Sequence, residues 1–445
     1  MELKLQTGYR QILGMALPIS LAIFVPQINF ITNNIFLSGL GEKELAAAGI
    51  TGVFYLIFAV IGNGLNNGLQ ALIARRAGQN LPEEIGRLFF HGVWLALSFA
   101  AAGIAITYLF APIILTAVIH DADISSMSID FLLKRIWGLP LLYLYVMRNA
   151  LLVGTNQTRL LVWGTLAETV TNIFLDYGFI YGHFGLPRLG FNGAAYASII
   201  AEGTGLLVIY AVIHFRGIHR AFAFSAQTAF DMRVIKLILV QSSPLILQYA
   251  ISIISWEFFY VLIEHHGPEA LAISNTMRNI FGLSGTFAWA FASTTNTMVS
   301  NIIGQGRQDE VLGLIRRIMG ISTCFAVVIS LLLNLFPEWF LSFYNQGDVF
   351  VQHALPVVRV VSVAVIMMGF STVWLNAVTG TGNTVINLSI EFITIVVYCI
   401  YIFVVLEYLN LPITYGWASE WVYWACLFSM SFLYMRSGKW KGKKI

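Results

Sequence analysis

The sequence predicts an all-α polytopic membrane protein. Twelve transmembrane helices are expected, as two six-helix lobes related by a pseudo-two-fold axis along the membrane normal. Three observations predict this. The first is composition: 58% of the 445 residues are hydrophobic and 11% are charged, whereas soluble domains carry about 25% charged residues. The second is span length, because Leu/Ile/Val/Phe tracts of about 20 residues suffice to cross a bilayer as helices. The third is an internal repeat. Shifted by 226 positions, Pro18 falls on Pro244, Gly78-Gln79 on Gly304-Gln305, Gly154-Thr155 on Gly380-Thr381, and Gly190 on Gly416. A period this long marks two copies of a whole bundle; a solenoid unit runs to roughly 20–50 residues.

The spans are expected at about 11–37, 45–73, 88–116, 128–152, 160–183 and 190–214 in the first copy. The second copy gives about 237–263, 269–302, 313–336, 351–378, 385–407 and 414–435. An even number of spans per copy makes both copies enter from the same side. The expected division is an N-lobe over 1–217, an inter-lobe linker over 218–236 and a C-lobe over 237–445 with a basic tail. Within the linker, Phe222-x-Phe224 suggests an amphipathic segment on the membrane surface.

Charge placement orients the chain. Alternate loops hold Arg75, Arg76 and Arg87, then Arg159, then Arg216, Arg220, Arg233 and Lys236, then Arg307, Arg316 and Arg317. The intervening loops hold mainly acids and histidines, such as Glu42, Glu44, Asp121, Glu264 and Glu407. The positive-inside rule then places both termini in the cytoplasm, in a cytoplasmic (inner) membrane. The tail from Arg436 to Lys444 reads as an anchor beside anionic lipid. Lys4 and Arg10 precede an apolar tract without a small-residue cleavage site, so no cleaved signal peptide is expected.

Composition also excludes function classes. The connecting segments are too short for a soluble catalytic domain, and no nucleophile–base constellation appears. The net charge of +3 gives no footing for nucleic acid. Cys324, Cys399 and Cys426 lie in apolar tracts and read as small buried hydrophobes. No cofactor is expected beyond a coupling ion, and no obligate protein partner. A duplicated apolar bundle instead suggests transport, with the solute site between the halves.

Three segments carry a resemblance. One is Pro18…Gly39-Leu40-Gly41-x3-Leu45-Ala46-Ala47-Ala48-Gly49, and another is Gly68-x-Gln70…Ala77-Gly78-Gln79. The most specific is Asn172-x3-Asp176-Tyr177-x-Phe179-Ile180-x-Gly182…Gly185-x-Pro187-x-Leu189-Gly190-x2-Gly193-Ala194-Ala195. Together they make the chain similar to the multidrug and toxic compound extrusion (MATE) family over nearly its whole length. The resemblance implies two six-helix lobes around a central cavity and export of organic cations in exchange for sodium or protons.

Ionisable groups inside spans are expensive and are functional candidates. Span 5 carries Glu168, Asn172 and Asp176 at i, i+4 and i+8, on one helix face. Carboxylate and amide oxygens are hard ligands, suited to sodium or to carrying a proton. The alternative is that Asp176 is a buried helix–helix hydrogen-bonding group. The resemblance implies an N-lobe cation site at Asn172 and Asp176, with Ser198 supplying a hydroxyl. It also implies an acid followed by Thr on span 1, where this chain has Asn33-Asn34. Asn33 retains a carbonyl ligand but no proton acceptor.

Glu257 on span 7 matches a glutamate important in NorM-type members, whose partner acid on span 10 has no counterpart between Phe370 and Asn376. Glu257 is therefore the expected anionic contact for an organic cation. Arg278 on span 8 lies at similar depth and is expected to pair with Glu257 or to attract an anionic solute. Asn63, Asn66, Asn67 and Gln70 form a polar stripe on span 2. It lines a wet cavity, with Asn66 and Gln70 touching substrate, or makes interhelical hydrogen bonds. Arg148 reads as architectural. Glu391 is expected just inside span 11, snorkelling toward the cytoplasm; Glu202 has no assigned role. The leading reading is an antiporter; the alternatives are a lipid-linked saccharide flippase of the same superfamily and a non-transporting membrane receptor or scaffold.

Overall fold

In the computed structural model, described over residues 2–224, 229–342 and 347–443, the apolar tracts form sixteen α-helices and, among the described residues, no strand. The first three are α1 (Tyr9–Ser38), α2 (Glu42–Gly78) and α3 (Pro82–Val118). Pro82, Glu83 and Glu84 open α3, where a proline costs no hydrogen bond and acids face the positive end of the helix dipole. Asp121 caps α4 (Ala122–Arg135) by accepting from the N–H groups of Asp123 and Ile124 at 2.8 and 3.1 Å. A 3₁₀ turn over Ile136–Gly138 joins α4 to α5 (Leu139–Gly154), so the two make one span. Next come α6 (Leu161–Tyr181), α7 (Phe191–Phe215), the single turn α8 (Ile218–Ala221) and α9 (Met232–Glu264).

The second copy continues with α10 (Pro268–Gly304), α11 (Val311–Leu335), the short α12 (Pro337–Ser342) and α13 (Asp348–Thr381). It closes with α14 (Thr384–Ile402), which runs into a π-helical turn over Phe403–Tyr408, then α15 (Ile413–Trp417) and α16 (Ser419–Arg436). Counting α4–α5 and α15–α16 as single spans, and leaving out α8 and α12, twelve spans result, as the sequence predicts. Among the described residues nine helical segments are long and apolar enough to cross a membrane by composition alone; α6, α10 and α16 are not among them. Each of these three carries polar groups that other helices enclose. Outward-facing Leu109, Ile113, Leu207 and Leu433 are exposed, a surface that only lipid would cover.

The chain forms two compact units, one of residues 21–246 and one of residues 1–20 with 247–445. These bounds differ from the expected division at 217 and 237. The reason is local packing in each unit. Leu5, Ile12, Met15 and Ala16 are buried in the apolar core shared by α10, α11 and α13. Asn301 clamps the N-terminal segment, accepting from the Leu5 N–H at 3.0 Å and donating to the Leu3 carbonyl at 2.9 Å. In the other unit, Ser242 and Ile246 of α9 sit against Gly68 and Gly64 of α2, where a Cβ would lie 2.2 and 2.4 Å from their side chains.

Two expectations are corrected, for the linker aromatics and for the cysteines. Phe222 is buried, and its carbonyl fills the space that Gly86 leaves on α3. Phe224 stacks on Phe89 at 5.0 Å. The linker aromatics thus pack on protein. At the tail, Trp440 is buried and Lys441 pairs with Asp309 at 2.7 Å, while Arg436, Lys439 and Lys443 are exposed; Lys444 lies outside the described residues. Cys324 is exposed on α11, and all three cysteines are free.

Candidate functional site

The α6–α7 hairpin fixes the depth of the polar face on α6. Gly182 ends α6 in the left-handed conformation, with φ 79°, which glycine adopts without strain. The Leu189 N–H then returns to the Phe179 carbonyl at 2.7 Å. Gly193 starts α7 directly against α6: a Cβ there would lie 2.7 Å from the carbonyl carbon and oxygen of Phe179.

The outer part of α1 runs alongside α6. Asn29 Nδ2 donates to Asn172 Oδ1 at 2.6 Å. Farther on, the Tyr181 hydroxyl donates to the Phe36 carbonyl at 2.7 Å. It enters space left by Gly39, where a Cβ would lie 2.5 Å from that hydroxyl. Both helices advance in the same direction between these contacts. Asn33 follows Asn29 by one turn, and Asp176 follows Asn172 by one turn, so helical periodicity sets Asn33 level with Asp176.

This arrangement collects oxygen atoms without donors. Asp176 is fully buried and Asn172 nearly so. Both carboxylate oxygens of Asp176, Asn33 Oδ1 and Asn29 Oδ1 are buried and receive no hydrogen bond. Buried polar atoms are otherwise almost always satisfied. These are oxygens of the kind a hard cation takes; Asn172 Nδ2, bonded side chain to side chain with Asn29 through its Oδ1, is a buried donor that likewise lacks a partner. Ser198 is half-buried on α7, and no hydrogen bond among the described residues ties it to Asp176 or Asn172.

Deeper in the same unit lies a charged array. Arg135 of α4 grips Glu202 of α7 through both guanidinium Nη atoms, at 2.5 and 3.2 Å. The same guanidinium lies 4.3 Å from the centre of the Tyr55 ring. Glu202, unassigned from the sequence, is therefore half of a buried ion pair. Arg148 is fully enclosed, with its guanidinium 3.8 Å above the Tyr145 ring and both Nη atoms lacking acceptors. Gly164 makes room for it: a Cβ there would be 2.7 Å from Nη1. Glu168 Oε2 is likewise without a donor.

The expected substrate residues separate. Glu257 is half-buried on α9, and Arg278 is exposed on α10. They do not form the expected ion pair; Arg278 instead lies 5.4 Å from the centre of the Tyr260 ring. The span 2 stripe also divides. Asn66 is half-buried and donates weakly to Asn67 Oδ1 at 3.4 Å, whereas Gln70 is fully buried and interacts within the protein. Gln70 is thus not positioned to touch a solute in this conformation. Glu391 does not snorkel: it is 1% exposed, two turns inside α14.

The MatE family profile matches residues 18–178 and 244–404, two segments separated by the same offset as the internal repeat. The chain belongs to the MatE family. It is 23% identical over 437 residues to a probable multidrug resistance protein NorM of Thermotoga maritima, covering 98% of this chain and 94% of that one. Over 256 residues, 57% of this chain and 56% of the relative, it is 27% identical to a probable NorM of Listeria monocytogenes. Among solved structures, a Vibrio cholerae MATE transporter superposes with a TM-score of 0.89 at 17% identity, covering 97% of this chain and 98% of that one. A MOP superfamily transporter from Pyrococcus furiosus superposes with a TM-score of 0.85 at 19% identity, covering 96% and 94%. These superpositions give this MatE chain its fold.

Two residues of the array escape sequence reasoning. Asn29 lies one turn before Asn33, and the i, i+4 spacing used for α6 would have found it on α1. Arg135 sits at nearly the depth of Glu202, counted from Ala122 and Phe191. Opposite charges at matched depth were the available signal.

Proposed function

We propose that this MatE chain is a secondary active exporter that moves organic cations out of the cell in exchange for a monovalent cation entering down its gradient. The observation that carries the reading is the set of four donor-less buried oxygens on Asp176, Asn33 and Asn29. A proton would satisfy one of them, while a sodium ion takes several oxygens at once, so the set favours sodium as the coupling ion. Asn172 shares the site through its bond to Asn29, and Ser198 belongs to it as a peripheral hydroxyl. Relatives named as multidrug resistance proteins support the substrate class. Glu257, half-buried with no ion-pair partner among the described residues, is the anionic contact for the exported cation, and Arg278 of the same unit flanks it. The chain sits in the inner membrane with both termini cytoplasmic.

Binding a cation neutralises Asp176 and biases one access state over the other. The bias equals the difference in ion affinity between the two states. The test is efflux of a fluorescent organic cation from proteoliposomes under sodium and proton gradients imposed separately. Sodium-driven efflux that Asp176→Asn abolishes, with expression retained, is the expected result. Normal coupled efflux in that variant would overturn the assignment.

A further inference from the structure

We infer that Glu391 is a second cation site, specific for a proton and loaded in this conformation, in the unit formed by residues 1–20 and 247–445. The argument is a count of hydrogens. Ser252 Oγ lies 2.7 Å from Glu391 Oε1 and 2.9 Å from the main-chain carbonyl oxygen of Gln248. A serine hydroxyl owns one hydrogen. The Gln248 carbonyl can only accept, so Ser252 donates to it. The shorter contact to Glu391 then needs a hydrogen from the carboxyl group. The chain runs from Glu391 O–H to Ser252 O–H to the Gln248 carbonyl.

The remaining contacts fit that assignment. The Tyr423 hydroxyl donates to Glu391 Oε1 at 2.5 Å, and Gln248 Nε2 donates to Oε2 at 3.4 Å. The orientation of the Gln248 amide is set independently. Its Oε1 accepts from Asn387 Nδ2 at 2.8 Å, which leaves Nε2 toward the carboxyl group. Asn387 is held in turn by Thr379 Oγ1 at 3.0 Å. With one proton on Glu391, every one of these contacts has a donor and an acceptor. With none, two acceptors compete for the single hydrogen of Ser252.

The surroundings favour the neutral acid. Glu391 is enclosed, and among the described residues no lysine, arginine or histidine forms an ion pair with it. Toward it α9 presents Gln248 and Ser252, α13 presents Thr379 through Asn387, and α16 presents Tyr423. The other titratable groups nearby are Glu420, which accepts from Trp424 Nε1 at 3.0 Å, and Tyr398, whose ring lies 5.9 Å from that of Tyr423. Neither supplies positive charge. An isolated anion in such a place is costly. Ser252 and Gln248 belong to α9, Glu391 to α14 and Tyr423 to α16. A shift of α9 against the other two helices therefore opens the cluster, and the proton passes to water, leaving the carboxylate with the Tyr423 hydroxyl as its remaining donor. The inference stands apart from the ion at Asp176, in other residues of another unit.

The test is infrared difference spectroscopy on the full-length protein in liposomes, with pH-dependent efflux measured on the same preparations. The wild type and Asp176→Asn both show a carboxylic-acid C=O band that Glu391→Gln removes. A glutamine amide nitrogen can donate to Ser252 as the acid does but cannot accept from Tyr423, so folding of Glu391→Gln is checked by size-exclusion yield, alone and with Tyr423→Phe, and its efflux loses pH dependence. Tyr423→Phe, which removes a donor to the acid, shifts the band and keeps it. A band untouched by Glu391→Gln, or pH-dependent efflux unchanged in that variant, overturns the inference. Loss of sodium coupling in Asp176→Asn with the Glu391 band intact separates the two sites.

Discussion

The backbone N–H of Asp231 donates to Nε2 of His91 at 2.8 Å. The other ring nitrogen, Nδ1, lies 2.7 Å from the Arg87 carbonyl. A carbonyl only accepts, so the ring carries its hydrogen on Nδ1 and leaves Nε2 bare for Asp231. His91 is fully buried on α3, and it ties the start of α9 to that helix. His91→Ala leaves the Asp231 backbone N–H without its partner, while the Arg87 carbonyl keeps its intrahelical bond. The expected cost is about 1–3 kcal/mol, read as a lower thermal midpoint in detergent. An unchanged midpoint would show that the tie contributes nothing.

The Asp231 carboxylate adds a pH-dependent element to the same place. The Arg233 side chain, its backbone N–H and the Arg87 guanidinium push the Asp231 pKa down from 3.8 to about 2. A depressed value means that the stabilisation is present above the ordinary carboxylate range and fades as pH falls toward the folded-state value. The difference in thermal midpoint between wild type and Asp231→Asn is therefore constant over about pH 5–8 and closes on acidification below about pH 4. A gap that widens as the pH falls would contradict this.

Arg135 and Glu202 are each partly satisfied by the other and by nothing charged of opposite sign on α2. Removing one partner strands a buried charge, at roughly 3–5 kcal/mol. Arg135→Ala and Glu202→Ala should each destabilise strongly. The Arg135→Met/Glu202→Met pair should cost less than the sum of the single changes, because no charge is left unpaired. A double-mutant cycle from denaturation midpoints measures the coupling, and additivity would remove it.

Asn29 tests the proposed cation site without touching the carboxylate. Asn29→Leu keeps the volume roughly constant and deletes one of the four donor-less oxygens together with the Nδ2 donor to Asn172. Sodium affinity should fall by about tenfold, the equivalent of about 1.4 kcal/mol, while the folded yield is retained. Titration calorimetry reads this directly, and wild-type affinity would take Asn29 out of the site.

The α6–α7 hairpin rests on Gly193. In Gly193→Ala the new methyl meets the Phe179 backbone at 2.7 Å, and backbone cannot rotate away as a side chain can. Overpacking of this kind costs about 1–3 kcal/mol or more. The control is Gly203→Ala on α7, whose nearest neighbour is Leu141 Cδ1 at 3.8 Å. Size-exclusion yield should drop for the first variant and hold for the second.

The sequence by itself determined the number of spans, their bounds to within a few residues, and the helix face that carries Glu168, Asn172 and Asp176. Those follow from properties local to the chain: apolar length, the 3.6-residue period, and glycines such as Gly182 that end helices. The tertiary structure alone decided which face meets which. It set Asn29 against Asn172, joined Arg135 to Glu202, kept Arg278 from Glu257, enclosed Gln70, and surrounded Glu391 with Ser252, Gln248 and Tyr423. Periodicity fixes the direction of a side chain about its own helix axis. The order, rotation and depth of neighbouring helices come from packing summed over the whole bundle. Partners in this core lie as far as 139 and 143 positions apart in the chain, as for Glu391 with Ser252 and Asn29 with Asn172, and no local pattern reaches that far.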